Sequence, residues 1–276
     1  MSFGSRARAA MAAYGPACVG IDPHSELLEA WDLPDSVDGL DRFAAICVEA
    51  FAGHVAFVKP QSAFFERFGA QGVVILERTI QDLRHTGSLV VLDVKRGDIG
   101  TTAAAYADAY LDDDAPMAAD AITVSPYLGF GSLQPFFDVA HKNDAGVFVL
   151  ALTSNKEGPE VQHATNGDTT VAGGILSQLA ALNAGEQPMG AFGAVVGATI
   201  GSSTAVLSGS GLAINGPLLV PGLGAQGGTV DDIRRLFGPV IDNVIPSTSR
   251  GVLGEGPDVS ALRDSIARVN AELVGS

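Results

Sequence analysis

Short apolar runs closed by Gly, Pro, Asp or a polar cluster recur along the chain: "ACVGID" (17–22), "VAFVKP" (55–60), "SLVVLDVK" (88–95), "AITVSP" (121–126), "GVFVLALT" (146–153), "AFGAVVGAT" (191–199), "GPLLVPG" (216–222) and "NVIPSTS" (243–249). Runs this short and apolar suit strands buried on both faces, as in a parallel sheet covered by helices. Between the first two, Leu40, Phe43, Ala44, Cys47 and Phe51 recur at helical spacing, and Gly53 ends the pattern. That is one βαβ unit. Comparable patterns predict helices near 69–85, 101–110, 132–141, 169–184, 201–212, 229–237 and 258–273. The alternation predicts a single-domain (β/α)8 TIM barrel, with residues 1–15 as an extension or helix packed on it.

A doubly wound open sheet produces the same alternation. Two features favour the barrel: no Gly-x-Gly-x-x-Gly follows the first strand, and nearly every strand ends in polar residues. In a barrel those carboxyl ends converge on the active face. The longest polar connection, 154–170, follows the fifth strand and is a candidate loop over that face.

Composition adds three constraints. With 47% hydrophobic and 17% charged residues the 276-residue chain is globular rather than disordered. A formal charge of −15 opposes broad binding to nucleic acid or an anionic membrane, so an anionic ligand must be held by few, local cations. Cys18 and Cys47 sit in apolar contexts that suit buried, reduced thiols, and no segment is long and apolar enough to span a membrane or act as a signal peptide. The expectation is a soluble, cytoplasmic protein without a metal.

The strand ends supply Asp22, Lys59, Asp93, Lys95, Asp98, Ser125, Ser154, the loop "PGLGAQGG" and "STSRG". Taken singly these have plain readings, Asp22 as a turn former before Pro23 and Lys59 as a solvated side chain. The stretch "DVKRGD" (93–98) is different. Period-two alternation puts Asp93 and Lys95 on one strand face and Val94 and Arg96 on the other. A structural ion pair is one reading; a charge cluster at a barrel mouth for transition-state electrostatics is the other, and it is favoured. The four glycines of "PGLGAQGG" either shape a turn or let backbone N–H groups approach a phosphate, with help from a helix N-terminus and from Arg250.

Together these residues resemble the orotidine 5'-phosphate decarboxylase family, in particular its branch carrying "DVKRGDIGTTA" and "TVSPYLG". The pattern Asp-x-Lys-x-x-Asp-Ile-x-x-Thr is met by Asp93, Lys95, Asp98, Ile99 and Thr102. "GIDPH", "FVKP", "PGLGAQGG" and "SRG" follow the family's order from about residue 16 to 255. The resemblance implies decarboxylation of orotidine 5'-monophosphate to UMP and CO2 without metal or organic cofactor. It implies that Lys59, Asp93, Lys95 and Asp98 form the catalytic set, that Asp22, Thr102, Ser154, Gln226 and Arg250 bind substrate, and that Asp98 and Thr102 reach the partner's site in a homodimer. Ser154 is the looser match. Arg96, on the far strand face, is expected to be structural or interfacial.

Two other readings stand beside this one. Barrels resembling 3-keto-L-gulonate 6-phosphate decarboxylase and hexulose-phosphate synthase share the Asp-x-Lys-x-x-Asp core but hold Mg2+, and Lys59 disfavours a cation there. A non-catalytic nucleotide-binding barrel would keep the phosphate site yet have no use for the intact set Lys59, Asp93, Lys95 and Asp98.

Overall fold

A computed structural model describes residues 1–200, 211–224 and 227–275. Among these residues eight parallel strands close into a barrel: β1 Cys18–Ile21, β2 Phe57–Pro60, β3 Leu89–Arg96, β4 Ala121–Val124, β5 Gly146–Leu152, β6 Phe192–Val196, β7 Leu218–Pro221 and β8 Val244–Thr248. Each follows its neighbour around the ring, and β8 returns to pair with β1. The eight apolar runs are these strands. Helices Val37–Phe51, Gly69–Arg84, Gly100–Leu111, Gln134–Lys142, Val171–Leu182, Val230–Phe237 and Val259–Val274 correspond to the helical patterns between and after them. The helix expected at 201–212 lies, for residues 201–210, outside the described residues.

Strand alternation sorts the side chains into two cores. Val19, Val58, Val90, Leu92, Ile122, Val147 and Val149 face outward and pack with helix residues such as Leu40, Phe43, Ile80 and Ala107. Cys18, Phe57, Val91, Ala121, Phe148, Val195, Leu219 and Ile245 form a separate cluster with Phe3 and Ala7. That second cluster fills the lower half of the barrel. Two residues further along the same inward rows stand Lys59, Asp93, Thr123 and Ser247, so the interior turns from apolar to polar towards the strand carboxyl ends.

The N-terminal helix Phe3–Tyr14 closes the lower end. Phe3 is fully buried and meets Phe148 edge to face, with ring centroids 6.0 Å apart. Gly146 makes room for it: a Cβ there would stand 2.4 Å from the Phe3 ring. Arg6 pairs with buried Asp120, whose other oxygen accepts the Val90 N–H over 2.8 Å, tying the helix to the sheet.

The 154–170 connection has structure of its own. It contains a short helix, Gly158–Gln162, and an antiparallel pairing of Thr165–Asn166 with Thr169–Thr170. Gln162 anchors it to the end of β5, accepting the Thr153 N–H over 2.9 Å and donating to Thr153 Oγ1 over 2.6 Å. Cys18 and Cys47 are buried and unpaired, and burial pushes the Cys18 thiol up to about 12. Among the described residues no helix is long and apolar enough to cross a membrane.

Candidate active site

At the polar end of the barrel one carboxylate organises four donors. Asp93 is 6% exposed. Its Oδ2 accepts from Lys59 Nζ at 3.1 Å and Gln61 Nε2 at 2.9 Å; its Oδ1 accepts from Lys95 Nζ at 2.6 Å and Thr123 Oγ1 at 2.7 Å. A carboxylate offers about four lone-pair positions, so none is left over. Burial acts to neutralise Asp93, but Lys59 and Lys95, with hydrogen bonds from Lys95 and Thr123, hold it well below the usual carboxylate range. For Lys59 burial acts to strip the proton, and Asp93 followed by Asp22 outweighs it, leaving this ammonium more firmly protonated than a free lysine. Both groups carry full charge at neutral pH.

Lys95 reaches this cluster by a route that plain alternation does not describe. Leu92 pairs with Ile122 and Arg96 with Val124, so β3 advances four residues while β4 advances two. Lys95 sits in this irregularity with φ +44°, a left-handed backbone uncommon for a residue with a Cβ. Its side chain is 47% exposed and opens to the mouth. Asp93 and Lys95 share a site as expected, but a bulge aims the lysine.

Asp22 enters from the end of β1, half-buried over Gly20, where a Cβ would come within 3.2 Å of its Oδ1. That Oδ1 and the neighbouring Ser249 Oγ are buried and have no hydrogen-bond partner among the described residues. Ser154 lies beside the end of β6, with its Cβ 3.1 Å from where a Gly197 Cβ would project. Arg250 follows β8, exposed, and its guanidinium makes no hydrogen bond or ion pair among the described residues. Gly222, Gly224 and Gly227 all have positive φ, as a tight loop beside β8 requires. Gln226 lies outside the described residues.

The helix N-terminus expected to assist this loop is already occupied. Thr229 and Asp232 close a capping box at helix Val230–Phe237, and Asp231 and Asp232 are both in its first turn. The backbone N–H groups of Thr229 and Asp232 are thereby already paired, and the two carboxylates oppose an anion at that helix end.

Asp98 and Thr102 are not drawn into the cluster within one chain. The Asp98 carboxylate accepts the backbone N–H of Ile99 at 2.8 Å and has no ion-pair partner among the described residues; Thr102 is exposed. Ile99, between them in the chain, and Tyr127 and Leu128, which follow β4, are 61%, 79% and 54% exposed. Arg96 turns away from the mouth, bonding Glu66 Oε1 at 2.7 Å and lying over the Tyr106 ring at 5.6 Å, which suits its structural expectation. Gln61 and Thr123 are the residues that sequence reasoning missed. The signal was present: each continues an inward row, Gln61 after Lys59 and Thr123 after Ala121, and only the closed barrel shows that those rows converge on Asp93.

The family model for orotidine 5'-phosphate decarboxylase / HUMPS matches residues 15–265. Orotidine 5'-phosphate decarboxylase from Streptomyces coelicolor is 59% identical over 272 residues, covering 98% of this chain and 96% of that one. The Nocardioides enzyme of the same name is 60% identical over 276 residues, covering 98% of each. A solved Streptomyces avermitilis structure assigned to the same enzyme superposes with a TM-score of 0.95 at 56% identity, covering 99% of this chain and 94% of that one. The Leishmania donovani OMP decarboxylase structure gives 0.72 at 28% identity, covering 99% of both. Because the family match takes in every barrel strand from β1 to β8, the chain belongs to the orotidine 5'-phosphate decarboxylase / HUMPS family.

Proposed function

We propose that this chain converts orotidine 5'-monophosphate to UMP and CO2, the last step in making UMP de novo, with its own lysine as the acid. The observation that carries this reading is a buried carboxylate clasped by two ammonium groups, one of which, Lys95, is half open to the mouth. Loss of CO2 from C6 leaves an electron pair in the ring plane, out of reach of the ring π system. That pair needs a nearby positive charge. The C6–carboxylate bond breaks, the pair stays on C6, and Lys95 Nζ stabilises it and then donates a proton to it. The neutral amine left behind recovers its proton from solvent, to which Lys95 is open.

Asp93 has no lone pair free for a divalent cation, since four donors already fill it. A substrate carboxylate set beside it meets like charge, and that repulsion disappears as CO2 leaves. Asp22, at the end of β1, is assigned to a ribose hydroxyl, and exposed Arg250 with the 221–228 loop to the phosphate, on the strength of the family resemblance. Ser154 and Gln226 are assigned to the pyrimidine and phosphate ends by family resemblance. Buried free thiols at Cys18 and Cys47 fit a reducing cytoplasm.

Falling absorbance as orotidine phosphate becomes UMP tests the activity directly, and EDTA should leave the rate unchanged. Lys95→Ala should abolish turnover while UMP binding stays measurable; near-normal turnover by that variant overturns the mechanism. The same reading makes the enzyme a homodimer whose Asp98 and Thr102 complete the partner's site, through the exposed surface around Ile99, Tyr127 and Leu128. Mixing inactive Lys95→Ala and Asp98→Ala chains should then restore about a quarter of wild-type activity, because one site of each mixed dimer is intact. No recovery on mixing removes Asp98 from the partner's site.

A further inference from the structure

Thr123 is 1% exposed, and its hydroxyl makes two bonds at once. It accepts the backbone N–H of Lys95 over 3.0 Å and donates to Asp93 Oδ1 over 2.7 Å. A hydroxyl has one proton. With the Lys95 N–H on its lone pair, that proton is directed at the carboxylate.

The position of that N–H gives the first bond its importance. It belongs to the residue in the β3 irregularity, where the ladder to β4 is interrupted between Leu92 and Arg96. An N–H that is partly buried costs stability if left without an acceptor, and Thr123 Oγ1 takes the place of the missing ladder partner. It does so for the residue held at φ +44°. The lysine side chain then returns to the same carboxylate oxygen, Nζ to Oδ1 at 2.6 Å. Thr123 Oγ1, Asp93 Oδ1, Lys95 Nζ and the Lys95 backbone therefore form a closed ring. Packing does not hold Lys95 Nζ, since the side chain is 47% exposed; the ring does.

We propose that Thr123 is a positioning residue for the decarboxylation: its hydroxyl fixes both where the Lys95 ammonium stands and how the Asp93 carboxylate is turned. The inference rests on the reading of Lys95 as the proton donor. Thr123 need not touch the substrate. Its effect belongs to kcat, because misplacing a reacting group by about 1 Å costs on the order of a hundred-fold while leaving distant binding contacts intact.

The test compares steady-state decarboxylation by wild type, Thr123→Val, which keeps the shape and removes the hydroxyl, and Thr123→Ser, which keeps the hydroxyl. The expected result is a kcat roughly ten- to a hundred-fold lower in Thr123→Val with KM within about three-fold, and Thr123→Ser within about three-fold of wild type in both. A Thr123→Val enzyme with near wild-type kcat overturns the proposal, as does a Thr123→Ser enzyme as slow as Thr123→Val. Should Thr123→Val fail to fold, Thr123→Ala replaces it, since Ala and Ser both lose the methyl and differ by the hydroxyl; equal kcat in those two also overturns the proposal. A merely structural role would lower melting temperature and UMP-competent protein without changing kcat per folded site. Wild type inactive on orotidine phosphate sinks the proposed function instead, so the two failures are distinguishable.

Discussion

Asp93→Asn keeps the side chain's shape and removes its charge, and the structure predicts a large loss of stability. The carboxylate meets four donors: Lys59 Nζ at 3.1 Å, Gln61 at 2.9 Å, Lys95 Nζ at 2.6 Å and Thr123 at 2.7 Å. An Asn amide has one oxygen, so two of the four donors must face its NH2 group. The larger effect is on Lys59, whose side chain is 8% exposed and whose other nearby carboxylate among the described residues is the less direct Asp22. Stranding a buried charge costs about 3–5 kcal/mol, whereas the half-exposed Lys95 adds at most about 1 kcal/mol because solvent screens it. At 2–4 °C per kcal/mol for a chain of this size, the melting temperature should fall by roughly 6–24 °C. The assay is urea unfolding followed by circular dichroism at pH 7, with protomer concentration held constant so that any dimer contributes equally. Adding Lys59→Met removes the stranded ammonium but keeps an apolar stem, so the double variant should recover at least about 1 kcal/mol relative to Asp93→Asn alone. The reasoning is refuted by an Asp93→Asn protein within about 1 kcal/mol of wild type, or by a double variant less stable than the single.

The same pair sets a pH dependence. Asp93 is depressed, so its contribution is present above about pH 4 and lost as pH falls through the folded value; Lys59 is raised, so its contribution is present below about pH 10 and lost as pH rises through the folded value. The stability difference between wild type and the Lys59→Met/Asp93→Asn double variant should be flat from about pH 5 to 9 and change only outside that window, measured by urea unfolding; a slope inside it contradicts the charge states assigned here. Phe3→Ala empties a fully buried site at the closed end of the barrel and should cost about 3–5 kcal/mol in unfolding free energy, with kcat per folded site unchanged because the opposite end carries the chemistry. Arg250→Ala removes an exposed guanidinium with no partner among the described residues, so melting should shift by less than about 0.5 kcal/mol equivalent while KM for orotidine phosphate rises roughly ten- to a hundred-fold. An unchanged KM would remove Arg250 from the phosphate site.

Much of the fold was legible because a parallel barrel writes itself plainly into a chain. Each strand is covered on both faces, so β1 to β8 all read as short apolar runs, and Val37–Phe51 and Gly69–Arg84 carry apolar residues at helical spacing. The N-terminal helix was less legible. Its buried residues, Phe3, Gly4, Ala7 and Ala10, are few and, apart from Phe3, small, and its apolar stripe is shallow because it covers only the narrow end of a barrel. The 154–170 connection hid its short helix and hairpin, since segments of two to five residues have no period to detect.

In the site the division falls in the same place. Sequence alone determined the chemistry available, because "DVKRGDIGTTA" fixes the order of charges and local geometry confines Asp93 and Lys95 to one strand end. It could not determine partners from other strands, which depend on register and closure. That Lys59 from β2, Gln61 just after it and Thr123 from β4 meet one carboxylate, and that Lys95 is aimed by a bulge at φ +44°, were decided by tertiary structure. The physical reason is range: side-chain alternation and helical spacing act over a few residues, whereas the hydrogen bonds that ionise and orient Asp93 link positions about thirty apart in the chain, which only the closed sheet brings within 3.1 Å.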